Sequence, residues 1–383
     1  MNHQQGELRY KQVSVWDVPL RIFHIGLILC VLSLLVTGFL SPEWWLSIHL
    51  QLGYLLVFLM LFRLVWGYFG SEYSRVGSLN LRLSDLKRWI TTVFRADPDT
   101  SIGHNAPGSW MIITFFILLT LMILTGILIQ GSENLAGPLA TVTHYSQSEF
   151  LINLHKILAW SVLTTIVIHV LAVVLHDIVL KHRLIESMIT GQKKVPVDLP
   201  NLIPAKSYGL YWALAVSVSI TSAIVFINPE DNSRWYDVQK TSNYDRYANE
   251  CSDCHFLYHP SLNSETNWTA LMASLDDHYG EDASISSTSF DLIKQFFNEN
   301  NAVFFDTQAA VEIGLTASDN DRMTNRPFWK DVHANLNDNL FNSAPVYSSA
   351  NCDACHLDAD TGLFQDQNIQ LPKIEENSLS KRK

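Results

Sequence analysis

The fold of this chain is decided by an apolar run that carries histidines, residues 153–179, NLHKILAWSVLTTIVIHVLAVVLHDIV. The run exceeds the roughly 20 residues that a helix needs to cross a bilayer. His169 follows His155 by fourteen positions, which is nearly four helical turns and about 21 Å, so both side chains face the same way. Ionisable side chains inside a membrane are costly and usually functional. The run therefore predicts a membrane helix with two functional histidines at two depths.

Four other apolar runs have membrane-spanning length, at roughly 19–40, 48–69, 110–130 and 208–228. The first is too long for a signal peptide and lacks a small-residue cleavage site behind it, so we expect it to be retained. Lys and Arg concentrate in the N-terminal tail and in the second and fourth connections, which places the N-terminus in the cytoplasm. These residues are Arg9, Lys11, Arg21, Arg75, Arg82, Lys87, Arg88, Arg95, Lys181, Arg183, Lys193, Lys194 and Lys206. Five crossings then put residues 229–383 outside.

The charge of the chain divides at the same boundary as its hydropathy. Residues 1–228 hold 15 Lys and Arg against 12 Asp and Glu, and residues 229–383 hold 11 against 25, so their net charges are +3 and −14. An acidic outer part is expected to attract a partner with a basic docking face, although acidity also serves solubility alone. This division indicates a membrane domain joined to a soluble acidic domain.

Two Cys-x-x-Cys-His motifs lie in the acidic part, Cys251-Ser252-Asp253-Cys254-His255 and Cys352-Asp353-Ala354-Cys355-His356. This spacing is the attachment signal for a c-type haem. Thiols three positions apart on one helical turn face the same way and can each bond one vinyl group of the porphyrin. The adjacent His then becomes the proximal iron ligand. The alternative is a zinc site built from both Cys pairs, but a His after each pair favours two covalent haems c.

Four histidines fall inside the predicted helices, and their depths group them into two pairs. His24 lies about six residues, or roughly 9 Å, from the cytoplasmic start of the first helix. Because the fourth helix enters from outside, His169 reaches a similar depth, whereas His49 and His155 lie near the outer surface. Imidazole pairs at two levels predict two bis-His haem b sites, His49 with His155 and His24 with His169. The alternatives are a structural role for any single histidine, and His176 as a rival ligand near the rim.

Residues around these histidines suit a flat, anionic cofactor. Gly53 lies one turn after His49 and leaves room for a porphyrin, although small residues also serve plain helix packing. Arg63 and Arg21 are placed to meet propionates of the inner haem, and Lys156 those of the outer haem. Snorkelling of these cations to the membrane interface is the alternative.

Three parts of the membrane region resemble the bacterial b561-type cytochromes, which include the membrane subunit of nickel-iron hydrogenases. They are VWDVPLRIFH at residues 15–24, HLQLG at 49–53 with RLVWG at 63–67, and His155 through His169. Ile25 departs from the family, which usually has Trp there. Over roughly residues 12–190 the resemblance implies two haems b, the four histidines as ligands in order, and electron exchange with membrane quinone.

The soluble part is predicted to consist of short helices, since little of it alternates as strands do. The clearest amphipathic stretches are residues 268–275 and 289–298. Each haem c iron needs a sixth ligand or an open face. His278 and His333 are favoured because they are well separated from both motifs, with their pairing left open. The rivals are His259, which lies only four residues beyond the first proximal histidine, and Met272 and Met323.

Most of residues 248–366 also resembles the small bacterial dihaem cytochromes c. The matching residues, in the family's order, are Cys251 to His255 with Tyr258, Ser264 to Leu275 around Trp268, His278-Tyr279-Gly280, Trp329 to His333, Asn351 to His356 and Gly362-Leu363-Phe364. Tyr258-His259-Pro260 departs from the Tyr-Pro-Pro usual there. The resemblance implies bis-His coordination of both irons and electron delivery to a small periplasmic haem protein.

These features predict an all-α protein, a transmembrane helical bundle followed by a small dihaem cytochrome c domain. The bundle has a four-helix di-haem b core and a fifth anchoring helix. The expected divisions are residues 1–190 for the di-haem b domain, 191–228 for a cytoplasmic loop and the fifth helix, 229–366 for the periplasmic domain and 367–383 for a disordered tail.

We expect a multi-pass protein of the bacterial inner membrane that carries electrons between the quinone pool and a soluble periplasmic haem protein. Two haems b and two haems c would carry them, and no nucleic-acid partner is expected. Quinol:cytochrome c oxidoreductase-type activity is one form of this function. The alternatives are reverse flow from a periplasmic donor to quinone, reaction of superoxide or another small oxidant at the outer haem b, and gas binding at an open haem c iron.

Overall fold

The computed structural model describes residues 10–40, 45–92, 102–178, 183–196, 204–206, 208–226, 237–316 and 322–372. The chain forms two compact units, here called the membrane unit (Met1–Leu128 and Phe150–Asn228) and the soluble unit (Ile129–Glu149 and Pro229–Lys383). The first residues of the predicted periplasmic domain, 229–236, and most of the predicted tail, 373–383, lie outside the described residues, as do Arg9, Arg95 and Lys181.

The described residues up to 226 form seven α-helices, and five of these are long and apolar enough to cross a membrane. In chain order they are α1 (Val18–Phe39), α2 (Leu46–Phe69), α3 (Leu83–Thr92), α4 (Ala106–Glu133), α5 (Ser148–Ile178), α6 (Leu184–Thr190) and α7 (Gly209–Phe226). The spanning helices are α1, α2, α4, α5 and α7. Large apolar side chains such as Ile22 and Leu171 stay exposed along them, as expected of helices that are apolar on all sides and face lipid. The five predicted spans are therefore confirmed.

A half-buried carboxylate holds the start of α1 against the end of α2. Asp17 caps α1 by accepting a hydrogen bond from the backbone N–H of Leu20 (2.9 Å), and it also accepts from Trp66 Nε1 (3.0 Å). The hydroxyls of Ser71 and Ser74 donate to the same carboxylate at 2.6 and 2.7 Å. Burial alone would raise the pKa of Asp17, but the hydrogen bonds from Ser71, Ser74 and Leu20 outweigh it and hold the pKa below its ordinary value.

The apolar core of the membrane unit lies where α2 packs against α1 and α7. Phe62 stacks between Phe23 of α1 and Trp66 of its own helix, with ring centroids 6.2 and 6.0 Å apart. On α7, Ala213 and Ser217 are fully buried. Small side chains at such positions let two helix backbones approach closely, which explains how the fifth helix attaches to the bundle.

Two elements on the predicted cytoplasmic side have no counterpart in the sequence predictions. Strands β1 (Tyr10–Ser14) and β2 (Gln192–Pro196) pair antiparallel, with Gln12 opposite Lys194. Helix α3 is the other element, and it is strongly amphipathic, with Trp89 stacked on His176 of α5 at 5.7 Å. An amphipathic helix of this kind lies along a surface and does not cross it.

The soluble unit is built from short helices around a cluster of aromatic rings. Its helices are α8 (Ser242–Cys251), α9 (Glu265–Ala273), α10 (Ser287–Glu299), α11 (Pro327–Val332) and α12 (Asp338–Phe341). Helices α9 and α10 correspond to the two predicted amphipathic stretches. Trp268 of α9 stacks on Phe297 of α10 with centroids 4.0 Å apart and planes 4° apart. The unit's described residues contain isolated β-bridges but no strand pairing, in agreement with the all-α prediction.

The connection between α4 and α5 belongs to the soluble unit. Asp306 accepts hydrogen bonds from His144 Nδ1 (2.8 Å) and from the backbone N–H of Tyr145 (3.0 Å). At the other end of the connection, the Gln365 side chain donates to the backbone carbonyl of Asn134 at 2.6 Å. The ordered structure continues past residue 366, since Ile369 forms a β-bridge with His356. The α4–α5 loop and the C-terminal part of the chain therefore lie on the same side of the membrane.

Candidate haem-binding sites

The outer pair of membrane histidines comes together as predicted. The rings of His49 on α2 and His155 on α5 have centroids 6.4 Å apart, with 72° between their planes. Two imidazoles on opposite sides of one metal ion have ring centres about 6.2 Å apart, from two metal–nitrogen bonds of about 2.0 Å and roughly 1.1 Å from each nitrogen to its ring centre. The spacing therefore fits bis-His coordination of one iron.

The inner pair is His24 on α1 and His169 on α5, which lie close enough to interact electrostatically. Both side chains are half-buried, and His169 meets the edge of Phe115 at 5.8 Å. The rival ligand His176 is buried against Trp89 of α3. The structure thus brings the outer pair together, and the pairing of His24 with His169 rests on their matching depths.

The residues predicted to surround the haems b, which were expected to leave space for a porphyrin or to bind its propionates, fit those roles only in part. A Cβ added at Gly53 would meet no atom within 4 Å, so open space lies beside α2 where a porphyrin was expected. The Nε of Arg21 is buried without a hydrogen-bond partner, which suits an anionic group such as a propionate. Arg63 instead donates to the backbone carbonyl of Ser74 at 3.1 Å, and Lys156 is exposed.

The first Cys-x-x-Cys-His motif lies at the end of α8, with Cys251 as the last helical residue. His255 Nδ1 lies 2.8 Å from the backbone carbonyl of Phe256, so the ring donates there and leaves Nε2 free for a metal. The ring of His278 lies opposite, 6.3 Å away with 33° between the planes. This separation again fits two imidazoles on one iron.

The second motif repeats the arrangement with different elements. Cys352 begins a 3₁₀ turn, and the backbone N–H of His356 donates to its carbonyl at 2.8 Å. His333 lies 6.2 Å from His356 with 63° between the ring planes. Its Nδ1 lies 2.7 Å from the backbone carbonyl of Trp329, whose ring stacks on it at 4.2 Å. The structure therefore pairs His278 with the first motif and His333 with the second, which the sequence left open.

The rival ligands occupy other roles. His259 is buried and its Nδ1 caps the 3₁₀ turn Pro260–Leu262 by accepting from the backbone N–H of Ser261. Met272 is buried in the aromatic cluster, and Met323 packs against the same cluster. Among the residues that the structure describes, no three His, Cys, Asp or Glu side chains form a metal-binding group, so the two Cys pairs do not form the alternative zinc site.

The two motifs lie near each other in the soluble unit. The hydroxyl of Tyr258, three residues after the first motif, donates to the backbone carbonyl of Ala350 at 2.7 Å, two residues before the second motif. Burial raises the pKa of Tyr258, and the neighbouring Cys352 and Asp353 raise it further. This hydrogen bond brings the segments that carry the two motifs together within the soluble unit.

Comparison with known families agrees with this division of sites. Residues 15–191 match the family model of prokaryotic cytochrome b561, and residues 247–364 match that of dihaem cytochrome c. The chain joins a cytochrome b561 to a dihaem cytochrome c. The dihaem cytochrome c match spans both Cys-x-x-Cys-His motifs, and the b561 match spans the four membrane histidines.

Curated relatives match the cytochrome b561 domain. One is the "Probable Ni/Fe-hydrogenase B-type cytochrome subunit" of Rhizobium leguminosarum bv. viciae, 23% identical over 224 residues, 50% of this chain and 92% of the relative. The protein of the same name from Azotobacter chroococcum mcd 1 is 26% identical over 232 residues, 52% of this chain and 95% of the relative.

Solved structures match the dihaem domain. The diheme cytochrome c from Rhodobacter sphaeroides is 36% identical, with 31% of this chain and 94% of that chain covered and a TM-score of 0.27. The diheme cytochrome type c from Shewanella baltica OS155 is 22% identical, with 35% and 97% covered and a TM-score of 0.29.

The fused cytochrome is thus a multi-pass bacterial membrane protein that transfers electrons through haem groups of the b and c types. Sequence reasoning missed two residues near the outer histidines, Thr37 and Thr125, whose hydroxyls contact the imidazole rings. Both are followed by glycine, Gly38 and Gly126. This repeated Thr-Gly pair in α1 and α4 was the available signal.

Proposed function

We propose that this fused cytochrome oxidises membrane quinol and passes the electrons to a soluble periplasmic haem protein, using two haems b and two haems c. Each bound haem supplies one-electron chemistry at its iron. The ligands are His49 with His155 and His24 with His169 in the membrane, and, beyond the membrane, His255 with His278 and His333 with His356. Cys251, Cys254, Cys352 and Cys355 form the covalent links.

The observation that supports this proposal most strongly is that the same distance between histidine rings recurs. Three independent histidine pairs, on different elements and in different surroundings, have ring centroids 6.4, 6.3 and 6.2 Å apart. Six-coordinate iron suits electron transfer rather than gas binding or oxidant chemistry, because both axial positions are already taken. The three pairs therefore support an electron carrier, and the matching depths of His24 and His169 supply the fourth proposed site.

The orientation follows from the chain. With an N-terminus in the cytoplasm and five crossings, the dihaem domain lies in the periplasm of a bacterial inner membrane. The α4–α5 loop, which this topology also places outside, contacts that domain through His144 and Asp306. We retain the domain divisions predicted at residues 190 and 228, extend the outer domain past 366 to residue 372, and associate the loop 129–149 with it.

The curated relatives are named as hydrogenase subunits, whereas this chain carries its own haem c domain on the outer side. We place that domain between the haems b and the soluble partner. Its excess of acidic residues favours a partner with a basic docking face, and their association should slow as ionic strength rises.

The test counts the haems of each type and then determines the direction of electron flow. Pyridine haemochrome spectra of the purified full chain should give protohaem and haem c in a 2:2 ratio. A quinol analogue should then reduce the b bands first and the c bands after them. Preparations that contain no extractable protohaem would contradict the proposal. If a reduced periplasmic haem protein reduced the haems b and quinol did not, electron flow in the reverse direction would replace the proposal. If superoxide alone reduced the haems b, reaction with small oxidants would replace it.

A further inference from the structure

Two threonines contact the ring nitrogens of the outer histidine pair in the same way. Thr37 Oγ1 of α1 lies 2.9 Å from His49 Nδ1, and Thr125 Oγ1 of α4 lies 2.7 Å from His155 Nδ1. Each contact joins two helices, α1 with α2 and α4 with α5. Both threonines are buried, with 4% and 5% of their surface exposed, so water does not compete for these groups.

The hydroxyl protons decide the direction of both hydrogen bonds. Thr37 donates to the backbone carbonyl of Ser33 at 2.9 Å, and Thr125 donates to that of Leu121 at the same distance. With its proton engaged in its own helix, each threonine oxygen is an acceptor toward the imidazole. This geometry favours hydrogen on Nδ1 of His49 and His155, which leaves the lone pair on Nε2 of each ring for a metal.

The glycine after each threonine allows this close approach. A Cβ added at Gly38 would come within 3.3 Å of His49 Cε1, and one added at Gly126 would come within 3.6 Å of His155 Cε1. The first distance is tighter than an ordinary contact, whereas the second is an ordinary van der Waals contact. The Thr37-Gly38 pair thus combines an acceptor with the space that the His49 ring needs beside the helix.

The inner pair lacks this arrangement. Among the residues that the structure describes, no hydrogen bond reaches a ring nitrogen of His24 or His169. Other threonine hydroxyls on these helices do not bind a histidine, so the presence of threonine in a helix is not enough to supply the acceptor. Thr120 of α4, for example, donates to the carbonyl of Phe116 and contacts no histidine. The acceptor is specific to the outer site.

We propose that Thr37 and Thr125 are positioning residues for the outer haem b, which fix the tautomer and the rotation of its two imidazole ligands. This inference rests on the proposed coordination of that iron by His49 and His155. An acceptor on Nδ1–H makes the imidazole a stronger electron donor. Stronger donation favours the ferric state, so the two threonines lower the midpoint potential of the outer haem relative to a site without them.

The test uses the full chain with threonine replaced by its isostere. Thr37→Val and Thr125→Val keep the shape and remove the acceptor. Each should raise the midpoint potential of the outer haem b and shift its low-spin electron paramagnetic resonance signal. The inner haem b and both haems c should stay unchanged. The double variant should retain protohaem 10- to 100-fold more weakly, the usual effect of losing such partners.

Three variants serve as controls. Thr37→Ser and Thr125→Ser restore the acceptor and should restore the potential, even if the valine forms fold poorly. Thr120→Val should change nothing. Unchanged potential and resonance signal in both valine variants would overturn the inference. If His49→Ala kept both haems b, the proposed coordination itself would fail, and the two failures are thereby distinguished.

Discussion

His278 and Glu281 exchange two backbone hydrogen bonds, from His278 N–H to Glu281 carbonyl at 2.7 Å and from Glu281 N–H to His278 carbonyl at 3.3 Å. The two residues between them, Tyr279 and Gly280, have φ of +58° and +101°. This two-residue turn holds the His278 ring opposite His255. The proposed sixth ligand of the first haem c therefore depends on a backbone conformation that few residues adopt.

Replacing the glycine of this turn should loosen the ligand. Gly280→Ala adds a Cβ that meets no atom within 4 Å, so its cost of about 1 kcal/mol is conformational. We expect a lower thermal midpoint for the soluble unit and a small fraction of reduced haem c that binds carbon monoxide. Gly77→Ala, at an equally open position with ordinary φ, should leave both measurements unchanged.

The pairing of His278 with the first motif and of His333 with the second can be tested with single and combined variants. His278→Ala and His333→Ala should each open one haem c to carbon monoxide, and the double variant should open two. In a Cys251→Ala, Cys254→Ala background only His333→Ala should open the remaining haem. If His278→Ala did so instead, the pairing in the structure would be wrong. His259→Asn keeps a side-chain acceptor for its turn and should bind no carbon monoxide.

The outer haem b offers a simple test of ligation. His155→Ala should remove one protohaem and leave the c-type bands intact, because a non-covalent haem with His49 as its one remaining protein ligand is bound much more weakly. His176→Ala is the matched control on the same helix, since His176 packs against Trp89. Equal protohaem content in the two variants would contradict the assignment of His155.

The cap of α1 predicts how acid affects the membrane unit. Because the folded pKa of Asp17 lies below its ordinary value of 3.8, its contribution is complete above that pH and is lost as pH falls through the folded pKa. Asp17→Asn should lower the unfolding free energy by about 1–2 kcal/mol at neutral pH and flatten the loss of stability below pH 4. The exposed carboxylate variant Glu149→Gln should retain the acid-dependent loss.

The attachment of the α4–α5 loop is open to hydrogen-exchange measurement. Asp306→Ala removes the acceptor of the Tyr145 backbone N–H. That amide should exchange roughly tenfold faster, which corresponds to about 1.4 kcal/mol. Asp291→Ala, an exposed carboxylate on α10, should have no effect in the loop. Equal exchange in both variants would mean that Asp306 does not hold the loop.

Periodicity and residue type predicted the long elements well, for physical reasons. A membrane helix must satisfy its own backbone over about 20 apolar residues, so α1, α2, α4, α5 and α7 could be located within a few positions. The Cys-x-x-Cys-His motifs could also be located from the sequence, because the residues of each motif are contiguous. The histidine pairs were predicted from depth along each helix, which needs only the helical rise.

What the sequence could not predict depends on contacts between distant segments. Strand β1 pairs with residues about 180 positions away, and five residues carry too little alternation to indicate a strand. His259 could be ranked below His278 by spacing, but its role as a cap is visible only with Ser261 in place. The Thr37 and Thr125 acceptors required knowing which helices are neighbours.

The soluble unit is connected to the membrane helices at more than one point, because it includes the loop between α4 and α5 as well as the chain after residue 228. A single proteolytic cut between residues 226 and 237 would break the covalent link at one point only. The contacts of Asp306 and Gln365 with that loop would remain. A nicked protein should therefore keep its C-terminal fragment bound to the membrane until those contacts are disrupted by denaturant.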